Sequence, residues 1–359
     1  MKAVNTIAIV SLSSGILGEA FVRFEEEIGL RRLREYGLKV KFMPHARKGT
    51  AYVKAHPEKR AADLLEAFRD PEIDMILCAI GGDDTYRLLP YLFAHNELAQ
   101  AAADKIFLGF SDTTINHLML HRVGLPTFYG QAFLPDLCEL GPEMHPYTRT
   151  YFEELIATGS IREITPSPVW YGEREQFSPD QVGKALVPRP NQGFELLQGP
   201  PCFCGKILGG CIDSMYDMFC GDRYADMPEL CRQYNLFPDA QEWKGRILLL
   251  ESSEEKPAPE KYRKALEQLK AAGVFDAVNG VLVGKPMDEA YAEEYRQLLT
   301  EVIDRPDLPI LLNLNIGHAM PRCIMPFGIE AHVDAEQQVI RFRNEPCRRV
   351  SCRERKAKG

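Results

Sequence analysis

Residues 105–120 read KIFLGFSDTTINHLML. The apolar run at the start predicts a buried strand, and the apolar residues after the bend recur at helical spacing. Ser111 stands between the two, where a hydroxyl at the sheet edge can attack and helix N–H groups can stabilise an oxyanion. Ser111 or Asp112 can equally cap the helix, which is the usual role of Ser and Asp there. GFSDT also has Thr113 in place of the second glycine of a GxSxG elbow, so both interpretations stay open.

The strand-then-helix pattern of this stretch recurs through the first half of the chain. Strands are predicted at TIAIVSL, LKVKFMP, IDMILCAIGG and KIFLGF, with helices over 19–36, over 58–68, from 84 onward and after Ser111. Such alternation predicts an α/β fold with a Rossmann-like parallel sheet. Ligands bind such sheets at the carboxyl ends of the strands, where SLSSG, AIGGDD and GFSDTT all occur.

The second half forms another, smaller α/β unit. Its predicted elements include helices over 259–272 and 288–303 and two terminal strands around GIEAHVD and QQVIRFR. Residues 166–201 contain seven prolines and little periodicity, so we expect a connection and a functional loop there. The predicted division is an N-terminal domain over 1–165, a linker and active-site loop over 166–201, and a C-terminal domain over 202–359.

Composition excludes several classes of protein. A chain of 359 residues with 45% hydrophobic and 26% charged residues is typical of a soluble globular protein with two domains. Its net charge of -8 argues against nucleic acid as a partner, and the basic C-terminal cluster is interpreted as a solvated tail. No stretch reaches the roughly 20 apolar residues of a membrane helix, and the N-terminal apolar run is too short for a signal peptide.

The cysteine pattern gives little support to a metal site. Ten cysteines are scattered through apolar segments, which favours reduced thiols and a cytoplasmic location. Only CFC (Cys202 and Cys204) is closely spaced, and His117 and His121 in HLMLH lack the acid of HExxH. We expect neither a metal nor another cofactor.

A glycine pair follows the predicted strand that ends in AIGGDD. Gly81 and Gly82 allow a ligand to approach the backbone closely and can offer an N–H group to an oxyanion. A tight turn capped by Asp83 or Asp84 explains the same residues equally well. Neither phosphate-loop pattern of glycines is present.

A histidine and a glutamate stand at the ends of two later strands. His318 in NLNIGH is placed to reach into a cleft as a general base, whereas His117 and His121 are expected to be surface or packing residues. Glu251 ends the apolar strand GRILLLE and could orient His318. The local alternative is that Glu251 and Glu254 begin a loop and face water.

Taken together, these segments resemble one family. The chain order of Ser111, Glu251 and His318, with IGGDDTYRLLPYL before GFSDTT, ILGG before the acidic strand and IGHAMPRCIMPFG near the end, is similar to the LD-carboxypeptidase family, which includes the microcin C immunity proteins. The resemblance implies a serine peptidase without metal, whose active site lies between an N-terminal parallel α/β domain and a smaller C-terminal domain.

The resemblance also implies roles for single residues. Ser111 would be the nucleophile, Glu251 the orienting acid and His318 the base. The backbone N–H groups of Asp112 and of the glycine pair, Gly82 rather than Gly81, would form the oxyanion hole.

Two segments favour the immunity-type branch of the family. IGGDDTYRLLPYL and LLLESSEEKPAPE resemble that branch more than the peptidoglycan LD-carboxypeptidases. The expected substrate is therefore a peptidyl or aminoacyl nucleotide, and a muramoyl tetrapeptide of peptidoglycan recycling is the alternative. Trp170 lies where that branch has an aromatic residue that stacks on the nucleotide base, although a loop tryptophan is more often an anchor.

Other substrate contacts follow from placement. Cys211 in LGGCID replaces an asparagine common in the family, which puts the polar contacts of the ligand in doubt. Lys256 and Arg322 are candidates for binding a substrate carboxylate. The segment before Trp243 is longer than usual and is interpreted as a lid or dimer contact.

A homodimer is expected. The competing hypothesis is a non-catalytic small-molecule binding protein on a two-domain α/β scaffold, because a fold alone does not determine function.

Overall fold

The computed structural model describes residues 3–343, so most of the predicted C-terminal tail lies outside the described residues. Strands are numbered in chain order: β1 Thr6–Val10, β2 Lys39–Phe42, β3 Met75–Cys78, β4 Ile106–Gly109, β5 Thr127–Tyr129, β6 Glu163–Ile164, β7 Val169–Tyr171, β8 Pro188–Pro190, β9 Glu195–Gln198, β10 Cys202–Cys211, β11 Ile247–Glu251, β12 Gly280–Gly284, β13 Ile310–Leu314, β14 Met325–Phe327, β15 Glu330–Asp334 and β16 Val339–Arg343.

The helices cover the faces of the sheets. The α-helices are α1 Arg23–Glu35, α2 Thr50–Ala55, α3 Pro57–Arg69, α4 Leu89–Phe93, α5 Glu97–Ala101, α6 Thr114–Arg122, α7 Pro146–Thr158, α8 Ile212–Asp217, α9 Met227–Gln233, α10 Ala240–Trp243, α11 Pro259–Ala271, α12 Val274–Ala277 and α13 Ala292–Ile303. Short 3₁₀ turns lie at Ile16–Gly18, Ala20–Val22, Thr85–Leu88, Ser111–Thr113, Pro179–Gln181 and Met287–Glu289, and a π-helical turn lies at Phe133–Leu137.

The first sheet confirms the predicted parallel α/β fold. Its order is β14-β5-β4-β3-β1-β2, and all neighbours are parallel except the pair of β14 and β5. All residues of β3 and β4 are buried, as expected for strands covered on both faces. The carboxyl ends of β1, β3 and β4 therefore meet at one edge, which carries the segments that contain Ser13, Gly81 and Ser111.

The second sheet is mixed. Its order is β6-β16-β15-β10-β11-β12-β13-β9, in which β10 to β13 are parallel and the outer pairs are antiparallel. The first half of β10 pairs with β15 and its second half with β11. The carboxyl ends of β11 and β13 thus point toward one edge, which carries Glu251 and the segment that leads to His318.

Two strands cross between the parts of the chain predicted to be separate domains. β14 joins the first sheet by pairing with β5, and β6 joins the second sheet by pairing with β16. The division at residues 166 and 201 stays a prediction. Within 166–201, the expected loop contains β7 and β8, which form a two-stranded sheet, and β9 at the edge of the second sheet.

Two predicted helices begin later than the sequence pattern indicates. The helix expected from residue 19 begins at Arg23, because two 3₁₀ turns precede it. The helix expected from residue 288 begins at Ala292, because Asp288 and Tyr291 each have a φ of 55°. A positive φ cannot be accommodated inside a right-handed helix.

The cysteines follow the sequence expectation in part. Six cysteines of the described residues are free, and five of these are buried. Cys202 and Cys204 each take part in a disulfide bond, so the expectation of reduced thiols is wrong for these two. None of the helices within residues 3–343 combines the length and the apolar character that a membrane span requires.

Candidate active site

Ser111 occupies a strained turn directly after β4. Its φ is 65°, a left-handed conformation that costs of order 1–3 kcal/mol for a residue other than glycine and concentrates at functional sites. No side chain caps the 3₁₀ turn that begins at Ser111 or the helix α6 that follows it. The interpretation of Ser111 or Asp112 as a side-chain helix cap is therefore wrong. Thr113, which replaces the elbow glycine, donates its hydroxyl to the carbonyl of Phe110 at 2.7 Å.

The glycine pair packs against this turn. A Cβ atom at Gly81 would lie 2.7 Å from Oγ of Ser111, and one at Gly82 would lie 2.2 Å from Oγ of Ser13. Gly82 also has a φ of 152°. Both positions therefore require glycine, and the absence of a side chain lets the Gly81 backbone approach the Ser111 hydroxyl closely.

Asp112 fastens the turn to its neighbours. Its Oδ2 accepts hydrogen bonds from the Ser13 hydroxyl at 2.6 Å and from the Thr85 N–H at 3.0 Å. Burial raises the pKa of Asp112 to about 6 despite these bonds. Asp84 was a candidate turn cap, but its side chain instead forms an ion pair with the buried Arg60, at 2.5 Å. Hydrogen bonds thus connect the three segments that follow β1, β3 and β4, next to Ser111.

Glu251 and His318 form a buried acid–base pair. Oε2 of Glu251 lies 2.7 Å from Nδ1 of His318 and accepts the His318 backbone N–H at 3.2 Å. Only 1% of the Glu251 surface is exposed, so the alternative that it faces water is wrong. A Cβ atom at Gly317 would lie 2.3 Å from Glu251 Oε2, so the pair requires glycine at that position. This geometry orients the imidazole as a triad requires.

Tyr129 links the acid to the serine, and the sequence reasoning missed it. Its hydroxyl donates to Oε1 of Glu251 at 2.5 Å and accepts the backbone N–H of Ser111 at 3.1 Å. Burial and the adjacent Glu251 raise the pKa of Tyr129, which keeps the phenol protonated as a donor. The available signal was its place at the end of β5, the strand that follows α6, since that end lies at the same sheet edge as Ser111.

The histidine and the serine turn are in direct contact through Phe110. The rings of Phe110 and His318 are 5.1 Å apart in an edge-on arrangement. The guanidinium of Arg322 lies 4.6 Å from the Phe110 ring centre. The same guanidinium donates a hydrogen bond to the His318 carbonyl at 3.2 Å. Arg322 is buried and paired with Asp136 at 3.2 Å. The buried Arg322 side chain therefore stabilises the positions of Phe110 and His318.

The second imidazole nitrogen of His318 has a partner of its own. Nε2, the nitrogen that would accept the serine proton, lies 2.8 Å from Oε2 of Glu254. Burial disfavours the imidazolium, but Glu251 and Glu254 outweigh it and raise the pKa of His318 to about 10. The hydrogen bond from His318 lowers the pKa of Glu254 to about 2. Glu254 is exposed as expected, although its carboxylate is bound to the histidine.

Cys211 adjoins the same pair. Donor atoms of Cys211, Glu251 and His318 lie within 4.8 Å of one another, the one such group of potential metal ligands among residues 3–343. Two of the three already bind each other at 2.7 Å. Burial and the Glu251 charge raise the pKa of Cys211, which disfavours the thiolate that a metal would need. The grouping is thus best explained as an acid–base pair with a neighbouring thiol.

Comparison with known proteins identifies the family of the chain. The LD-carboxypeptidase N-terminal domain matches residues 7–130, and the LD-carboxypeptidase C-terminal domain matches residues 204–333. The chain belongs to the LD-carboxypeptidase family. It is accordingly a hydrolase of the serine peptidase type, and the hypothesis of a non-catalytic binding protein is not supported.

Relatives of this LD-carboxypeptidase family member include proteins of both functional branches. An MccF-like protein from Streptococcus pneumoniae, solved in complex with AMP, is 58% identical, with a TM-score of 0.94 over 95% of this chain and 99% of that chain. The microcin C7 self-immunity protein MccF of Escherichia coli is 26% identical over 94% of this chain and 92% of that protein. A probable murein peptide carboxypeptidase of Bacillus subtilis is 27% identical over 85% of this chain and 83% of that protein.

Two residues predicted to contact the substrate already contact other protein side chains. Trp170 is buried, and the charged groups of Arg189 and Lys285 lie 4.7 and 5.0 Å from its ring centre. Lys256 pairs with Asp288 at 2.7 Å and with Glu173 at 3.1 Å. A ligand that uses either side chain must therefore compete with these partners.

The loop that carries Trp170 lies beside the candidate site. Tyr171 donates its backbone N–H to the carbonyl of Met320, two residues after His318, at 2.9 Å. Trp170, Ser252 and Lys285 line a cavity of about 600 Å³. Because Ser252 follows Glu251 directly, this cavity begins next to the acid of the candidate triad.

The histidines of α6 lie outside the site of this family member. His117 is buried, with its ring nitrogens 2.7 Å from the Thr127 hydroxyl and 3.1 Å from the Gly109 carbonyl. Burial lowers the pKa of His117 to about 3 and that of His121 to about 4. His117 is thus a packing residue, one of the two roles that the sequence indicated for it.

Proposed function

We propose that this enzyme is a serine carboxypeptidase-type hydrolase that cleaves an amide next to a free carboxylate, with Ser111, Glu251 and His318 as its triad. The observation that carries the proposal is the buried Glu251–His318 pair, bound at 2.7 Å beside a serine with a φ of 65°. An imidazole oriented by a buried carboxylate is what activates a serine hydroxyl, which is inert without a base.

In the proposed mechanism, Nε2 of His318 takes the proton of Ser111, and Oγ attacks the carbonyl carbon of the scissile amide. The backbone N–H groups of Asp112 and Gly82 stabilise the oxyanion, with Gly81 as a further candidate donor. His318 then gives its proton to the leaving nitrogen, and an acyl-enzyme remains. Water attacks this ester with His318 again as base, and Ser111 is released.

We further propose a peptidyl or aminoacyl nucleotide as the substrate. This choice is supported by the 58% identity to a protein solved with AMP. It is also supported by the cavity beside Ser252, in which Trp170 and Lys285 offer an aromatic ring and a cation. A nucleotide needs both kinds of group, for its base and its phosphate. Stacking would require Arg189 or Lys285 to move away from the ring.

A serine-reactive fluorophosphonate tests the triad. We expect covalent labelling of the wild-type enzyme that disappears in Ser111→Ala and falls steeply in His318→Gln. Ser253→Ala is a matched control, because Ser253 is also a buried serine and its backbone N–H is anchored to Asp213. Labelling that persists in Ser111→Ala would exclude Ser111 as the nucleophile.

Two substrates separate the branches of the family. Incubation with a processed microcin analogue should release the amino acid from the nucleotide, as detected by mass spectrometry. A muramoyl tetrapeptide is the alternative substrate, supported by the similarity to the B. subtilis murein peptide enzyme. Release of D-alanine from the tetrapeptide alone would overturn the assignment to nucleotide substrates.

The cytoplasmic location and the homodimer stay predictions. Cell fractionation tests the first. Size-exclusion chromatography with light scattering tests the second, with 40.6 kDa expected for a monomer and twice that mass for a dimer.

A further inference from the structure

The base of the proposed triad is blocked in this structure. Each nitrogen of His318 faces a carboxylate oxygen, Nδ1 that of Glu251 at 2.7 Å and Nε2 that of Glu254 at 2.8 Å. An ionised carboxylate can only accept hydrogen bonds, so both nitrogens must carry a proton. An imidazolium has no free lone pair and cannot take a proton from Ser111.

We propose that Glu254 is a gate on the catalytic base: its carboxylate caps Nε2 of His318 in the resting enzyme and must rotate away before this nitrogen can accept the proton of Ser111. The inference rests on the proposed function. Glu254 is a positioning residue in this scheme, because it acts on the reaction through His318.

The two carboxylates are built for different tasks. Glu251 is 1% exposed and is held by the Tyr129 hydroxyl as well as by His318. The Glu254 side chain is 58% exposed and lies in the loop between β11 and α11. A buried, doubly held carboxylate stays in place, whereas an exposed one can rotate into solvent.

The loop around Glu254 is anchored on both sides. The Ser253 N–H donates to Asp213 at 3.0 Å, and the Lys256 ammonium pairs with Asp288 at 2.7 Å. Opening the gate therefore requires only rotation of the Glu254 side chain, while the loop remains in place.

Substrate and the closed gate compete for the same position. His318 Nε2 must come within hydrogen-bond reach of the leaving nitrogen to protonate it. Glu254 Oε2 lies within that reach of Nε2 now. Productive binding therefore displaces Glu254, the Nε2 proton passes to water, and the freed lone pair can take the proton of Ser111. Without substrate, the closed gate keeps the base protonated, so Ser111 reacts slowly at neutral pH.

Other charged or titratable groups near the pair must be considered, since the gate predicts a pH dependence. Those that face His318 or its partner Glu251 are Cys211, Tyr129 and Arg322, with Asp136 behind Arg322. Arg223 acts on Glu254 and lowers its pKa as a minor cause, after the larger effect of His318. Glu254 is the exposed negative group among them, so it can be changed without altering the buried network.

The test is a titration of His318 by NMR in enzyme labelled at histidine, with the resonance assigned from His318→Gln. We expect the pKa of His318 to fall by about 1–3 units in Glu254→Gln, because an adjacent opposite charge is removed. Glu255→Gln is the matched control. It removes a charge from the same loop, where Glu255 pairs with Arg223 and Lys261, and should leave the pKa unchanged. Equal values in wild type and Glu254→Gln would overturn the gate.

The pH profile of fluorophosphonate labelling tests the functional consequence. In Glu254→Gln, the rise of the labelling rate with pH should begin at lower pH, with about a tenfold faster rate at neutral pH for each unit by which the pKa falls. Identical profiles in wild type and Glu254→Gln would overturn the gate alone. Absence of Ser111-dependent labelling in every variant and at every pH would overturn the proposed function, and the gate with it.

Discussion

Tyr129 donates its hydroxyl to Glu251 across the junction of the two sheets. The distance from its Oη to Oε1 of Glu251 is 2.5 Å. The Tyr129 Oη also accepts the Ser111 N–H at 3.1 Å. Tyr129 ends β5 of the first sheet, and Glu251 ends β11 of the second. One phenol therefore fixes the serine turn relative to the acid, although the two lie on different sheets.

Tyr129→Phe should weaken the proposed triad without unfolding the enzyme. The change removes a hydrogen bond to a buried carboxylate, worth about 1.5–3 kcal/mol, and leaves the Ser111 N–H without this acceptor. We expect the second-order rate of fluorophosphonate labelling to fall by about 10- to 100-fold. Tyr147→Phe is the control, because its hydroxyl donates to the Thr165 carbonyl at 2.7 Å and not to a carboxylate. A wild-type rate in Tyr129→Phe would show that the phenol does not position the triad.

Gly317→Ala should disrupt the acid–base pair by steric contact. Gly317 has a φ of 80°, and a Cβ there would lie 2.3 Å from Glu251 Oε2. Gly124 has a φ of 78° and no atom within 4 Å of such a Cβ, so Gly124→Ala measures the backbone strain alone. We expect both variants to lose about 1–2 kcal/mol in free energy of unfolding from that strain.

Only Gly317→Ala should lose activity. Displacement of Glu251 leaves His318 without its orienting acid, so labelling of Ser111 should fall by orders of magnitude, whereas Gly124→Ala should label at the wild-type rate. Urea unfolding and labelling kinetics on the two variants make the comparison. Equal labelling rates in both would mean that the site tolerates movement of Glu251.

The sequence is sufficient to predict those site residues that lie at the ends of predicted strands. Ser111 and Glu251 come at the ends of apolar runs, and His318 follows the last residue of β13 by four positions. The rule that ligands bind at the carboxyl ends of parallel strands places such residues at sheet edges. Chain order then supports the resemblance to the family. The burial of Glu251 could not be predicted, because it depends on how the two sheets meet.

Tyr129 and the contact of Glu254 escape sequence reasoning for physical reasons. β5 has three residues, too few for a period of two to be recognised. Glu254 lies in a loop, and whether its carboxylate reaches His318 depends on side-chain rotamers that sequence spacing does not determine. The pairing of β14 with β5 joins residues about two hundred positions apart, which no local pattern indicates.

The raised pKa of Asp112 should make the free energy of unfolding depend on pH. Burial raises its folded-state pKa from 3.8 to about 6. The folded state therefore binds a proton more tightly than the unfolded state, and this stabilisation is complete below about pH 3.8 and is lost as the pH rises through about 6. Asp112→Asn carries no such titration. The free energy of unfolding of the variant relative to wild type should rise by on the order of 3 kcal/mol from pH 4 to pH 8.

Urea unfolding of wild type and Asp112→Asn at several pH values measures this difference. Because the two proteins differ at one titrating group, contributions from all other groups cancel to first order. A difference that does not change with pH would show that Asp112 titrates near its ordinary pKa in the folded enzyme.

Trp170 is expected to report nucleotide binding through its fluorescence. The chain has two tryptophans, so Trp243→Phe leaves Trp170 as the single indole emitter. If the base of AMP stacks on Trp170, Arg189 or Lys285, whose cations now lie over the ring, must shift, and the emission should change saturably with AMP. Ribose 5-phosphate, which has the phosphate and no base, is the matched ligand and should leave the emission unchanged.

Trp170→Ala should weaken AMP binding by about 1–3 kcal/mol, the usual contribution of one base stacked on one aromatic ring. Calorimetry on wild type, Trp170→Ala and Trp170→Phe measures it, and the phenylalanine variant should recover part of the affinity because its ring can still stack. AMP that binds all three equally would assign Trp170 to anchoring the loop against Arg189 and Lys285, and the base would then have to be recognised elsewhere in the cavity beside Ser252.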